Sequence, residues 1–284
     1  MFVLTADTDL IDYLFSYLEP DDIMRMFRLN LQLHYGMENY VRRAWDIHRF
    51  YAQWFPCGVS AGEVLDRYGA IISGSAALRF MARQPRIPTS GLDIFVNIAG
   101  LLRLGRWLKV MGYVYRPRGH GPHLFDIAAL GVSIRMQHRR VRSGTDAQVR
   151  FGSQFEVFDF YLDDPQIGWA RGDRHIQLIA LEGSPYEHVL GFHSTAVMNF
   201  MTGSFAMSIF PKATFISKVS YVCRSGNESY GRESWKAKYA ARGFALAEDC
   251  PRQLNPLNGE LRPCRFIGDS LTWILPFDPA GTGA

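Results

Sequence analysis

The residues with the clearest potential for chemistry lie in one stretch, residues 71–96, which reads IISGSAALRFMARQPRIPTSGLDIFV. An apolar strand pattern ends at Gly74-Ser75, and a helical pattern begins at once. Backbone amides at the start of a helix, with the helix dipole, favour an anion, and the Ser75 hydroxyl adds a donor. A carboxylate, Asp93, stands near the start of the next predicted strand. Mg²⁺-dependent phosphoryl transfer requires a carboxylate beside such a turn, because the metal bridges carboxylate and phosphate oxygens.

The elements that must position these residues follow from the spacing of the apolar residues. Helical segments are predicted at 63–67, 75–84 and 99–111, and residues 185–202 are predicted as a helix or as a strand followed by a helix. Strands are predicted at 68–73, 92–98, 113–115, 132–136, 155–160 and 175–181. This order predicts an α/β (α+β) fold with a mixed sheet flanked by helices.

The N-terminal part of the chain, residues 8–55, has the spacing of three short amphipathic helices. Such a module is too small to be stable alone and needs a larger partner to pack on. The composition changes at Pro56-Cys57-Gly58, and the sequence after Gly226 is rich in turns. We therefore predict three regions: a helical module at 1–56, an α/β domain at 57–225 and a C-terminal extension at 226–284 packed on that domain.

Charge is unevenly distributed along the 284 residues, although the net charge is only +4. Residues 1–22 hold six acids and no Lys or Arg, whereas residues 103–150 hold ten Lys or Arg against Asp126 and Asp146. A basic stretch of this kind can face the phosphates of a nucleic acid or an acidic partner, or it can be a solvated surface. The 48% hydrophobic content excludes a disordered chain.

The cysteines and the N-terminal residues indicate the cellular compartment of the protein. Cys57, Cys223, Cys250 and Cys264 form no CxxC pair and are too sparse for a disulfide framework, so we expect reduced thiols in an intracellular protein, cytoplasmic or nuclear. The first residues lack the basic segment of a secretory signal. No apolar run approaches the roughly 18 residues that a membrane span needs, and we expect no membrane partner.

The same stretch resembles a known signature. Gly-Ser, a short helix and a strand reading Asp-hydrophobic-Asp-hydrophobic is typical of the nucleotidyltransferase (polymerase-beta-like) superfamily. More closely, the chain resembles a family of uncharacterised basidiomycete proteins that often begin with an F-box-like segment, which residues 10–51 resemble. The matching stretches cover most of residues 60–245: 69–80 (GAIISGSAALRF), 92–96 (LDIFV), 112–117 (GYVYRP), 176–179 (IQLI), 192–202 (FHSTAVMNFMT), 210–215 (FPKATF) and 238–244 (KYAARGF).

The resemblance implies roles for particular residues. Asp93 would be the catalytic carboxylate and a ligand of Mg²⁺. From the residues themselves, we expect Gly74, Ser75 and the basic strip Arg135–Arg142 to hold the phosphates of a nucleotide, with Lys212 as a further phosphate contact.

The sequence departs from the superfamily pattern at its carboxylates. The first carboxylate of the pair falls on Gly91, and the segment expected to supply a third acid has His193-Ser194-Thr195 instead. Glu156 and Asp159 are the candidates to substitute. A two-metal mechanism needs carboxylates that hold both ions about 3.5–4 Å apart. We therefore expect a catalytically incomplete domain.

Three functions stay open at this point. The first is binding of a nucleoside triphosphate or other phosphate ligand. The second is an F-box-type protein that docks a Skp1-like adaptor through residues 8–55. The third is an active Mg²⁺-dependent nucleotidyltransferase. The remaining candidate side chains also have structural interpretations. His193 is expected in the core, His120 and His123 in a loop, Lys212 on the surface, and Met198, Met201, Phe205 and Met207 in core packing.

Overall fold

A computed structural model describes residues 8–19, 22–23, 26, 31–56, 61–143, 155–162, 174–223, 232–248, 259–261 and 265–277. Its helices are α1 (Thr8–Ser16), α2 (Leu31–Ala44), α3 (Ile47–Ala52), α4 (Ala61–Arg67), α5 (Gly74–Met81), α6 (Ile98–Val110), α7 (Phe125–Ser143), α8 (Pro185–Leu190) and α9 (Arg232–Ala240). Its strands are β1 (Ile71–Ser73), β2 (Leu92–Asn97), β3 (Val114–Arg116), β4 (Phe155–Leu162), β5 (Arg174–Leu181), β6 (Asn199–Met201), β7 (Phe205–Ser208), β8 (Val219–Tyr221), β9 (Ala245–Ala247) and β10 (Trp273–Pro276).

The centre of the fold is an eight-stranded mixed sheet with the order β10-β7-β6-β1-β2-β5-β4-β3. Strands β2 and β5 are parallel, and the other neighbours in this sheet are antiparallel. Strands β8 and β9 form a separate two-stranded parallel sheet. The predicted α/β class with a mixed sheet is confirmed.

The central strands form where the sequence is continuously apolar. Strand β2 buries Leu92, Ile94, Phe95 and Val96, and β5 buries both faces of its second half. Helix α6 begins directly after β2, where the Asn97 side chain accepts a hydrogen bond from the amide of Ala99 and caps the helix. Because β1 and β2 are antiparallel, the end of β1 at Ser73 lies beside the start of β2 at Asp93.

The strand predicted at 132–136 is wrong, because these residues lie inside helix α7. Apolar and polar residues alternate over those five positions, which imitates a strand. The buried side chains of the wider segment are Phe125, Ala128, Ala129, Val132 and Met136, which repeat with the spacing of a helix face. A five-residue window is too short to separate the two periods.

The order of elements predicted for 185–202 also differs from the structure. Helix α8 comes first, a single 3-10 turn covers Thr195–Val197, and strand β6 follows. Pro185 suits the first turn of a helix, which explains why the helix comes first.

The N-terminal helices pack on the α/β part and share its hydrophobic core. The indole Nε1 of Trp45 donates to the carbonyl of Met81 at 3.1 Å, and its ring packs against Trp273 of β10. The guanidinium of Arg83 donates to the carbonyl of Phe15 at 3.1 Å and to the hydroxyl of Tyr40 at 2.6 Å. Phe15 of α1, Tyr40 of α2 and Trp45 are therefore held by the end of α5, by Arg83 and by β10.

The C-terminal segment contributes to the same body. Strand β10 pairs with β7 along Trp273↔Ser208 to Pro276↔Phe205, and it forms one edge of the large sheet. Tyr239 of α9 and Phe244 are buried in the main core. The boundaries at 56 and 225 stay predictions. No helix among the described residues is long and apolar enough to cross a membrane.

Candidate functional site

The first position of the turn between β1 and α5 strongly favours glycine. Gly74 has φ +69°, in the left-handed region that L side chains avoid. A Cβ added at Gly74 would lie 2.5 Å from Oδ2 of Asp93. The Ser73 hydroxyl donates to the carbonyl of Asn199 at 2.6 Å and does not cap α5. The first amides of α5 therefore lack this usual partner, and Gly74 itself lies against the Asp93 carboxylate.

A row of polar residues crosses the sheet at this level. Ser73 is in register with Asp93, Asp93 with Gln177, and Gln177 with Asp159. Residues in register on neighbouring strands share a face of the sheet, and neighbouring strands lie about 4.8 Å apart. Asp93 and Asp159 therefore share a face, but their backbones are about 10 Å apart.

The buried Asp159 carboxylate is fully engaged by donors of the protein. It accepts hydrogen bonds from Arg118, from Nε2 of His175 at 2.7 Å and from Nε2 of Gln177 at 3.2 Å. Burial raises the pKa of Asp159, but the hydrogen bonds from Arg118, His175 and Gln177 outweigh it and hold the pKa below its usual value. Asp159 is thus an anchor for neighbouring side chains, and its oxygens are directed at them.

An imidazole lies where a carboxylate at position 91 would project. A Cβ added at Gly91 would lie 3.1 Å from Nδ1 of His175. The His175 ring is fixed on its other side by Asp159 and stacks on Tyr161, with ring centroids 4.5 Å apart and planes 7° apart. His175 therefore fills the space that the first carboxylate of the superfamily pattern would need.

Asp93 has cationic neighbours. Burial raises its pKa to about 6, and the charges of Lys238 and His175 act in the opposite direction. The pKa of Lys238 is in turn lowered by burial and by the charge of Arg242, while Asp93 acts to raise it. Asp93 and Lys238 thus lie close enough to influence each other's ionisation.

The cations come from the C-terminal part of the chain. Nη1 of Arg242 donates to the Ser75 hydroxyl at 3.1 Å, and its guanidinium lies 5.1 Å from the centre of the Tyr239 ring. Burial is the main cause of the raised pKa of the Tyr239 hydroxyl. Helix α9 and the turn after it therefore bring Lys238, Tyr239 and Arg242 to the turn at Gly74-Ser75.

Lys238 and Arg242 were missing from the candidate residues predicted from the sequence. They are more than 160 positions from Ser75, and no local pattern connects such distant residues. The only sequence signal was the stretch KYAARGF at 238–244, which belongs to the resemblance but carried no assigned role.

The other predicted phosphate contacts lie elsewhere in the fold. Nη2 of Arg135, on α7, is 3.7 Å from Oε2 of Glu156, and both side chains are largely exposed. The backbone amide of the exposed Lys212 donates to Oε1 of Glu260 at 2.7 Å. The contacts made by Arg135 and Lys212 are therefore with acids outside the row that contains Asp93.

Neither candidate for the missing acid completes a carboxylate pair. Glu156 is three positions from Asp159 on β4, so it projects from the opposite face of the sheet. Asp159 is on the correct face but is engaged by Arg118 and His175. Among the described residues, no group of three or more His, Cys, Asp or Glu is placed to hold a metal ion. These residues do not fit a two-metal Mg²⁺ site, because such a site needs several carboxylates around the two metal ions.

The other candidate residues, three histidines and the Met and Phe residues near β6 and β7, lie in the core or in an exposed loop or pack on an aromatic ring. The His193 ring packs on Trp235, with centroids 3.9 Å apart, and is only partly buried. His120 and His123 are exposed in the loop before α7. Met198 and Met207 are buried in the cluster against which Phe205 packs, and Met201 is buried in the main core, so the core interpretation of these four residues is confirmed.

Comparisons with known proteins assign no family. No protein-family model, no curated protein and no solved structure matches the chain.

Proposed function

We propose that the chain binds a nucleotide, or another ligand with a phosphate group, at the turn formed by Gly74 and Ser75. The scaffold would be nucleotidyltransferase-like and catalytically incomplete. The observation that supports this proposal most directly is the convergence of Lys238 and Arg242, from the far end of the chain, on Ser75 and Asp93.

The chemistry of the turn suits an anion with several oxygens. The first amides of α5 are donors at the positive end of a helix, and the Ser75 hydroxyl adds another. Arg242 already donates to Ser75, and its planar guanidinium can also donate to a phosphate oxygen. Lys238 supplies a second positive charge on the same side.

Transfer chemistry has less support than binding. The position of the first carboxylate is Gly91, with His175 beside it. Lys238 supplies positive charge beside Asp93 without a metal ion. We therefore propose that the cations of the protein itself hold the phosphate and that no nucleotide is transferred.

The test is a thermal-shift and calorimetry panel of ATP, GTP, CTP and UTP, with and without Mg²⁺. We expect at least one nucleotide to raise the melting temperature of the wild type. Arg242→Gln should weaken its binding about tenfold, the effect of losing one charge-assisted hydrogen bond. The matched control is Lys236→Gln on the same helix, because Lys236 forms an ion pair with Glu248. Absence of binding by all four nucleotides at millimolar concentration would refute the proposal.

A second function, docking of a Skp1-like adaptor, is favoured by the outer face of α1. Leu10, Tyr13, Leu14 and Tyr17 follow helical spacing and are exposed at 52%, 59%, 53% and 70%. The opposite face is occupied by Phe15, which is buried in the core. A continuous apolar stripe of this kind is a protein-binding surface more often than a solvated face. This proposal suits an intracellular protein, cytoplasmic or nuclear.

Point substitutions test this surface better than deletion of residues 1–55, since that deletion also removes the buried Trp45, Phe50 and Trp54. We expect Leu10→Ser/Leu14→Ser to abolish capture of a purified Skp1-like adaptor. Val110→Ser is the control, because it removes an apolar side chain that is 78% exposed elsewhere on the surface. Equal capture by the wild type and the α1 variant would refute adaptor docking through α1.

A further inference from the structure

A cavity of about 710 Å³ lies between the N-terminal helices and the α/β part. One wall is formed by residues 43–54 of α2, α3 and their flanks. The other wall is formed by α5 and the loop at 82–90, with Arg174 at the start of β5. Six arginines line it: Arg43, Arg49, Arg79, Arg83, Arg86 and Arg174.

Among the described residues, acidic side chains offset only part of this charge. Asp46 is the one carboxylate among the described lining residues, and it accepts hydrogen bonds from the amides of His48 and Arg49 as the cap of α3. Arg43 forms an ion pair with Asp12 outside the lining. Within the part of the chain that the structure describes, Arg49, Arg79 and Arg174 form no ion pair with a carboxylate.

Two of the arginines, Arg79 and Arg83, donate hydrogen bonds to uncharged groups of the protein and keep their positive charge. Arg83 donates to the carbonyl of Phe15 and to the hydroxyl of Tyr40, and Nε of Arg79 donates to the carbonyl of Pro85 at 2.8 Å. Neutral acceptors of this kind hold the guanidinium groups in place without cancelling their charge. The cavity is therefore preorganised and positively charged.

Arg79 is an unfavourably placed charge of the lining. Burial is the first cause of its lowered pKa, and the charge of Arg242, which is not among the described lining residues, is the second. An anion beside Arg79 would stabilise its charged form. The lining also includes Phe50, Phe80 and Trp54, and the Arg86 guanidinium lies 4.2 Å from the centre of the Trp54 ring. Stacking of this kind orients a guanidinium fork, which suits phosphate geometry.

We propose that this cavity binds a small ligand that carries several closely spaced phosphate groups. Its volume lies in the range of roughly 300–1,000 Å³ that is usual for small-molecule sites. Several guanidinium groups on facing walls can each pair with a different phosphate. Gly74, Ser75, Asp93, Lys238 and Arg242 are absent from the described lining, so this is a second site beside the proposed nucleotide site.

The test is calorimetric titration of the full chain with inorganic tripolyphosphate. We expect saturable binding with one ligand per chain. The double variant Arg49→Gln/Arg174→Gln should weaken it at least about tenfold, since it removes two cations of the lining. The control Arg42→Gln/Arg106→Gln removes the same charge from exposed residues outside the lining, and its affinity should match the wild type. If the cavity double variant fails to fold, the exposed Arg49→Gln alone provides the comparison.

Four results would overturn the proposal. The first is no binding at millimolar tripolyphosphate. The second is equal weakening in both double variants, which would indicate diffuse charge. The third is a loss of tripolyphosphate binding in Arg242→Gln as large as in the cavity double variant, which would indicate a single shared site. The fourth is tighter binding of a single-stranded oligonucleotide with the same dependence on Arg49 and Arg174, which would indicate a nucleic-acid surface. Loss of nucleotide binding in Arg242→Gln, with tripolyphosphate binding intact, would support two separate sites.

Discussion

Gly74 is the residue at which backbone conformation and the chemistry of the site meet. Alanine there must adopt a positive φ, at a cost of about 1–2 kcal/mol, and its Cβ must also displace the Asp93 carboxylate. We expect Gly74→Ala to lower the free energy of unfolding, measured in urea, by more than Gly69→Ala. Gly69 is the matched control, because it has φ +58° and open space around its Cβ position. Equal costs at Gly74 and Gly69 would contradict the close packing of Asp93.

Asp93 should make stability depend on pH. Because burial raises its folded-state pKa from 3.8 to about 6, its protonated form is favoured by folding. This contribution to stability is fully present below the unfolded pKa and is lost as the pH rises through about 6. We expect Asp93→Asn to be more stable than the wild type at pH 7.5, by up to about 3 kcal/mol, with a smaller difference at pH 4. A less stable Asp93→Asn at pH 7.5 would show that Lys238 and His175 stabilise the carboxylate more than burial disfavours it.

At the scale of elements, the register of β2 with β5 decides what the site can do. Gly91 directly precedes β2 and lies beside His175 of β5, where an added Cβ would be 3.1 Å from Nδ1 of the imidazole. We expect Gly91→Asp to produce no Mg²⁺-dependent nucleotide transfer and to weaken nucleotide binding by added negative charge. Gly91→Asn is the control of equal size, and a radiolabelled transfer assay with calorimetry measures both effects. Transfer activity that appears only in Gly91→Asp would show that the site lacks nothing but that one carboxylate.

The sequence predicted the elements whose apolar pattern is long or continuous. Strands β2 and β5, helix α6 and the glycine turn were all predicted close to their observed positions. The segment 132–136 was mistaken for a strand because its alternation over five residues is compatible with both periods. Lys238 and Arg242 reach Ser75 only through tertiary packing of α9, which no local pattern can show.

At the scale of the whole molecule, the N-terminal helices and the sheet share one core. Trp45 is 5% exposed and contacts Met81 and Trp273. We expect Trp45→Ala to cost about 3–5 kcal/mol, the usual range for a buried aromatic side chain. Circular dichroism and tryptophan fluorescence should report one coincident unfolding transition. Tyr35→Ala on α2, the helix that ends just before Trp45, is the control, since Tyr35 is 58% exposed and the cost should be small. A separate early transition of the N-terminal helices would contradict a shared core.

One cluster of positive charge is visible in the linear sequence, and another is formed only by folding. The basic stretch at 103–150 is visible by inspection, and its described part includes the exposed Arg135 on α7. The six arginines of the cavity are spread from Arg43 to Arg174 and form no run in the sequence. Folding brings them together, so a site of this kind can be recognised only from the structure.

The most direct test of phosphate binding by the protein's own cations is titration with ATP in the presence of EDTA. We expect the wild type and Lys236→Gln to bind ATP without a divalent cation, and Lys238→Gln/Arg242→Gln to lose that binding. Asp93→Asn should retain it, because removal of a negative charge beside the phosphate does not weaken the contact. ATP binding that requires Mg²⁺ and disappears in Asp93→Asn would contradict phosphate binding by the protein's own cations, and it would identify Asp93 as a metal ligand.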